Sequence, residues 1–413
     1  MVEFILSKTL LIIGAGAEQV PAYEIAKKRG LTVVASDISE NAPAIRLADH
    51  FLKASTRDAD ATKAAVQKFI LKHPIHGVMT IANDVPVTVA QVAVALGLKS
   101  ISLESAIAAS HKRIMKNLFE KNGVACPWNQ TVRNTSELKQ VLDLKKSRLV
   151  LKPVDGRGAR GVLQIDKGSD LEWAFTESKR WGESGELLVE EFIEGPQLST
   201  ESFILDGKCY TAAIAERNYS GIDKFFPYII EDGGTIPALL TDELRKKIDD
   251  LILKGARALG ISEGPIKGDL VINKQGEPLI IELAARLSGG WFATHQIPSA
   301  SGIDLVGAVI SYSLGESVSV ESLRPTKNNS TAIRYWFPPP GKIKQISGLE
   351  RLREFPFVLS YGVFRGEGDV QPVVRMHPDR FGYVIVKGNN REESLKNVQT
   401  ALDSVSISIS DDE

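Results

Sequence analysis

The stretch RLVLKPVDGRGARGVLQID, Arg148–Asp166, decides the fold. The apolar run Leu149-Val150-Leu151 delivers Lys152 beside Pro153, a loop with glycines at 156, 158 and 161 follows, and residues 162–165 resume strand chemistry. The stretch reads as a strand, a flexible basic loop and a second strand. Glycines let backbone N–H groups approach anionic oxygens, while Lys152, Arg157 and Arg160 supply positive charge. A plain surface hairpin with solvated arginines has the same composition. No Gly-Lys-Ser/Thr ends the loop, which excludes a P-loop, and no helix follows it, which excludes a dinucleotide fingerprint.

Two later segments separate these readings. Leu187–Gly195, LLVEEFIEG, is a strand ending in acids, and Leu279–Gly290, LIIELAARLSGG, carries Glu282 and Arg286 out of an apolar run. Residues 264–272 and 278–282 are expected as antiparallel strands, which sets Asp269 and Glu282 on neighbouring strands where facing carboxylates can share a divalent cation. A lone acid in so apolar a run as that around Glu282 is costly without a partner.

In this order, the Lys152-Pro153 glycine loop, the Glu190-Glu191 strand and the Glu282 to Gly290 segment resemble the ATP-grasp carboxylate–amine ligases, over most of the chain. The resemblance implies a mixed α/β and α+β fold. Its parts are an N-terminal Rossmann-like domain (1–110), a subdomain with a mobile glycine-rich lid (111–190), an ATP-grasp core with metal and adenine sites (191–325), and a small C-terminal α+β domain (326–413). It also implies ATP and Mg²⁺ or Mn²⁺ as cofactors.

Residue by residue, the resemblance assigns Lys112, Lys152, Gly156, Arg157, Gly158 and Gly161 to the phosphates. Glu190 is expected to take the adenine amine, with the backbone of Glu191, Phe192 and Ile193 along the ring, and Gln197 and Glu201 near the ribose. Asp269 and Glu282 are the implied metal ligands, and Arg286 with Lys152 the catalytic pair. Substrate-side candidates are Glu18, Asp84, Arg286, Ser288, Gly289, Gly290 and His295, with Gly16, Gln19 and Asp37 as further acceptor-side residues. The chain departs from the family's Glu-x-Asn-Pro-Arg at Ala284, which has no side-chain ligand for a cation.

The remaining readings rest on the residues themselves. A length of 413 residues predicts several cores. With 24% charged residues and a net charge of −1, nothing favours nucleic acid or an anionic membrane as partner. Cys126 and Cys209 form no disulfide framework or metal spacing, which suits a reducing cytoplasm. No run approaches the ~20 apolar residues of a membrane span. Residues 10–105 alternate strands and helices as in a doubly wound parallel sheet. Gly14 and Gly16 lack the third glycine of a nicotinamide site, since Gln19 stands in its place.

The expected activity is activation of a carboxylate as an acyl phosphate and its transfer to an amine, with release of ADP and phosphate. The partners are small-molecule acid and amine substrates, and analogy suggests a homodimer. An ATP-dependent carboxylase using bicarbonate, and a catalytically weak ATP-binding protein motivated by Ala284, are the alternatives.

Overall fold

The computed structural model describes residues 7–410. Near the N-terminus, four parallel strands lie in the order His50–Lys53, Thr32–Asp37, Thr9–Ile13 and Gly77–Met79. Thr9–Ile13 is buried along its whole length, as a strand covered on both faces must be. It ends at Gly14, whose φ of 101° turns the chain sharply toward the helix Val20–Lys28.

The glycine-loop segment belongs to a four-stranded sheet ordered Asn129–Val132, Leu187–Glu191, Leu149–Pro153, Leu163–Ile165. Its pairings are antiparallel. The apolar faces of Thr135–Lys145 and Leu171–Lys179 cover this sheet and give it a core of its own, with Leu138, Leu149, Leu151 and Val189 inside. The preceding helix Lys112–Lys121 packs elsewhere. Its Met115 and Phe119 are buried with Ile248, Ile252 and Ile280 of the central body, so the helix bridges two units assigned separately from the sequence.

The central sheet has eight strands, ordered Pro278–Ala284, Gly264–Ile272, Gln197–Leu205, Lys208–Arg217, Gly234–Ile236, Ser330–Trp336, Gly382–Gly388, Val358–Val363. Asp206 and Gly207, both at positive φ, form the expected tight turn between the third and fourth. The helix Asp242–Ala258, capped by Thr241, lays Ile248, Ile252 and Ala256 on one side of it. Residues 326–413 do not begin a separate sheet: Ser330–Trp336 pairs with Gly234–Ile236, which leaves no bare strand edge at that point. A three-stranded sheet, Val370–Gln371, Gly341–Ser347, Ser406–Ile409, and the helix Arg391–Asp403 pack beyond it. No helix among the described residues is long and apolar enough to cross a membrane.

One junction positions the site. Ile81 bridges Leu287 in parallel, Ala82 N–H donates to the Leu287 carbonyl at 3.0 Å, and Gly290 N–H donates to Glu18 at 2.7 Å. The loop after Glu282 is thus clamped between the N-terminal sheet and the central sheet.

Candidate active site

A cleft of about 930 Å³ opens where these units meet. The strand Leu149–Pro153 carries Lys152 to its wall, and Leu187–Glu191 carries Glu190 beside it through the pairing of Val150 with Glu190. Lys152 Nζ lies 2.6 Å from Glu190 Oε2, and Lys116 Nζ lies 3.1 Å from Glu190 Oε1, all three side chains being buried. Burial pushes the Lys152 ammonium below its usual range. Burial also opposes the charge on Glu190, but Lys116 and Lys152 outweigh it and hold the carboxyl low. Glu190 thus lies between two ammonium groups: Lys152 donates to Oε2, while Oε1, within ion-pair distance of Lys116, has no hydrogen-bond partner. The Glu190 carboxylate organises two lysines, and Glu190 lines the cleft together with Glu191, Phe192 and Ile193, the edge expected along an adenine ring.

Lys112 begins its helix against the glycine-loop strand, its N–H donating to the Val154 carbonyl at 2.8 Å. Its Nζ donates to the Gly156 carbonyl at 2.8 Å and lies 3.2 Å from Glu282 Oε1. Gly156, Arg157 and Gly158 line the cleft with Arg160. One buried Arg157 nitrogen, Nη1, has no protein partner. Gly161 does not reach the cleft: a Cβ there would stand 2.8 Å from the Ser178 carbonyl, so this glycine seats the loop on the helix behind it.

Asp269 and Glu282 are opposed in register, and both face the cleft. Asp269 accepts from Lys267, two residues along the same strand face, and from Arg217 Nη1 at 3.1 Å. Although burial resists the charge, Lys267 and Arg217 pull the Asp269 carboxyl down to about 2. Glu282, a third exposed, makes an ion pair with Lys112. A divalent cation therefore fits Glu282, whereas both oxygens of Asp269 already have cationic partners. Ala284 stands opposite Lys267, where the ammonium supplies the positive charge nearest Asp269. No cluster of three or more metal-ligating side chains occurs among the described residues.

Arg286 reaches into the cleft from the end of the strand Pro278–Ala284 and donates Nε to Asp84 Oδ1 at 2.7 Å. Burial works against the charge on each, yet the pairing raises the guanidinium and lowers the carboxyl relative to their usual values. Ser288, Gly289, Gly290 and Glu18 complete this end. Burial raises the Glu18 carboxyl, against the Gly290 N–H that it accepts.

Several expected residues lie outside the cleft. Glu201 is fully buried and accepts from both the N–H and the hydroxyl of Ser288, so it shapes the 286–290 loop and cannot touch a ribose; burial raises its carboxyl to about 7 despite those bonds. Gln197 and Ser199, on the same strand face, do line the cleft. His295 turns away to bond Thr294, and Gln296 takes the lining position. Asp37 accepts the Ala15 N–H, and Gln19 donates to the Ile81 carbonyl, which are roles within the N-terminal turn. Gly16 does not line the cleft either.

Other lining residues escaped the sequence reading: Arg217, Glu231, Lys267, Tyr335, His377 and Arg380. They come from five separated segments and carry no local motif. The alternation Lys267-x-Asp269 within the strand Gly264–Ile272 was the one available signal.

Three family models match in succession: an ATP-grasp N-terminal domain over residues 23–99, an ATP-grasp domain over 146–295, and the L-amino acid ligase C-terminal domain 2 over 334–410. The chain belongs to the ATP-grasp superfamily. Within it, the matches include amino-acid ligases together with biotin and pyruvate carboxylases. The chain is similar to a Sinorhizobium fredii protein, y4rH, itself uncharacterized, with 26% identity over 364 residues, 87% of this chain and 73% of that protein. It is 25% identical over 234 residues to alanine–anticapsin ligase of Bacillus subtilis, covering 51% of this chain and 48% of the relative, so it spans about half of that enzyme's length. The L-amino acid ligase of Bacillus licheniformis shares the ATP-grasp fold along the whole chain, with a TM-score of 0.82 at 24% identity, covering 98% of this chain and 99% of that one.

Proposed function

We propose that this ATP-grasp protein is a ligase that activates a small carboxylic acid with ATP and joins it to an amine, the acid and amine being amino acids or close analogues. The observation that carries the reading is the convergence of Lys112, Lys152, Glu282 and Arg286 on one cleft whose far end is walled by the N-terminal and C-terminal segments. That arrangement suits two substrates meeting beside a nucleotide phosphate.

In the first step a carboxylate oxygen attacks the γ-phosphorus, and the bond to the β-phosphate oxygen breaks, giving an acyl phosphate and ADP. Lys112 and Lys152 offset the charge on the phosphates, while the N–H groups of the glycine loop enclose the transferring group. Mg²⁺, held by Glu282, would supply further neutralisation of phosphate oxygens. In the second step the amine nitrogen attacks the acyl carbon. Arg286, fixed by Asp84, faces the oxyanion of the tetrahedral adduct, phosphate departs, and the nitrogen loses a proton to leave an amide. Little acid–base machinery is needed, because positioning and electrostatics dominate such a reaction.

Incubating the purified chain with Mg-ATP and pooled amino acids tests this reading. ADP and phosphate in equal amounts, formed only when acid and amine are both present, support it. ADP formation that depends on bicarbonate alone would select the carboxylase alternative.

A further inference from the structure

Away from the nucleotide strand, a chain of ion pairs leads from Asp269 through Arg217 and Glu231 to Arg380. Arg217 bonds both carboxylates, and Arg380 Nη2 donates to the Glu231 backbone carbonyl at 2.5 Å with the Glu231 carboxylate 3.8 Å away. Lys267 ends the chain on Asp269. Three cations, Arg217, Lys267 and Arg380, thus share two carboxylates, all well shielded from solvent. Glu18, Asp84 and Asp232 also feel these cations, so the cluster is a dense basic and acidic network in a place where each polar group needs a partner.

Within this network two donors are unused. Arg380 is 6% exposed, lies over the Tyr335 ring at 3.9 Å, and its buried Nε has no partner. His377 Nε2 is likewise buried without a partner. Burial and the cations around it, Arg380, Arg217, Lys267 and Arg160, keep the imidazole well below its usual range, so it is neutral and has one N–H to donate. The segment holding both residues is prearranged. Arg365 donates to the Asp379 and Arg380 carbonyls, Gln371 donates to the Asp379 carbonyl at 2.8 Å, and Asp379 accepts the N–H groups of Arg375 and Met376. Both residues face the common cleft.

We propose that His377 and Arg380, with Arg160 of the glycine loop, form a subsite for a non-reacting anionic group, a carboxylate or a phosphate, on one of the two substrates. The reacting carboxylate belongs beside Arg286 and the γ-phosphate, whereas the His377 and Arg380 donors stand on a different segment, beyond Glu231. They hold a second anion, which makes the substrate at this end an acid in addition to its reacting group. Arg160 comes from the glycine loop, so closure of that loop over ATP would complete the subsite and couple filling of the two ends. The proposal rests on the ligase reading.

The test uses the full chain saturated with Mg²⁺ and a nonhydrolysable ATP analogue, which fills the γ-phosphate position. Succinate and inorganic phosphate are then titrated by calorimetry into wild type, His377→Ala and Arg380→Gln. Binding of either anion at one site per chain, weakened about tenfold or more in both variants, is the expected result. Succinate alone would identify a carboxylate, and phosphate alone a phosphate ester. Binding of neither anion by wild type, or equal binding by wild type and His377→Ala, would overturn the subsite. His377 lies on a half-buried surface segment, so its variant decides the matter even if Arg380→Gln misfolds. Failure of the wild type to bind the ATP analogue would instead strike at the ligase reading itself.

Discussion

Arg286 and Asp84 meet at 2.7 Å across the junction between the central sheet and the N-terminal sheet. The guanidinium proposed to face the reacting carboxylate is therefore oriented by a residue some two hundred positions away in the chain. Asp84→Asn should keep nucleotide affinity within about twofold while lowering kcat by roughly tenfold to a hundredfold, less than loss of a direct oxyanion donor would cost. Steady-state ADP release checks this. An equal rise in KM for ATP with kcat unchanged would place Asp84 in nucleotide binding instead.

The buried group of Lys116, Glu190 and Lys152 predicts an asymmetry. Lys116→Met removes one buried ion-pair partner and leaves Glu190 paired with Lys152, at a cost of about 1.5–3 kcal/mol. Glu190→Gln leaves two buried ammonium groups without a counter-charge, at roughly 3–5 kcal/mol. Urea denaturation of the two variants should rank them in that order, and the reverse order would mean that Glu190 is not the hub.

Much of this was legible in the sequence, and the reason is locality. Lys152, the glycine loop, Glu282 and Arg286 each sit in or just after an apolar strand, so a short window discloses the element and its place on the cleft. The antiparallel pair that opposes Asp269 to Glu282 needed only one connecting turn. Lys116, Arg217, Glu231, His377 and Arg380 were not legible, because their significance arises from pairings between segments far apart in the chain. Glu201 misled for the same reason. Along its strand it continues the face of Gln197 and Ser199, but the Ser288 loop closes over it and removes it from the cleft.

Glu201 gives a pH signature. The folded chain retains its proton up to about 7, while the unfolded chain releases it near 4.5. The folded state thus binds more protons between these values, and stability falls as pH rises through that window. Glu201→Gln should lack this loss. Its thermal midpoint should match wild type near pH 4 and exceed it at pH 8, by a stability difference of up to roughly 3 kcal/mol. Parallel curves for both proteins would refute the assignment.

The cation partners of Asp269 predict opposite effects on metal binding. With the ATP analogue bound, Glu282→Gln should weaken Mn²⁺ binding by about tenfold or more, as seen by electron paramagnetic resonance. Lys267→Met, which frees one Asp269 oxygen, should strengthen it. Weaker Mn²⁺ binding in Lys267→Met would show that the ammonium supports the metal site.

In the proposed reaction the free energy of the ATP γ-phosphoryl group is carried into a carbon–nitrogen bond by an acyl phosphate. The most direct test of that intermediate is positional isotope transfer: an acid labelled with ¹⁸O in its carboxylate is incubated with Mg-ATP, amine and enzyme, and the released phosphate is weighed. Transfer of one ¹⁸O to phosphate, together with ADP, is the predicted result. Unlabelled phosphate, or label found in AMP with pyrophosphate released, would rule out the acyl phosphate.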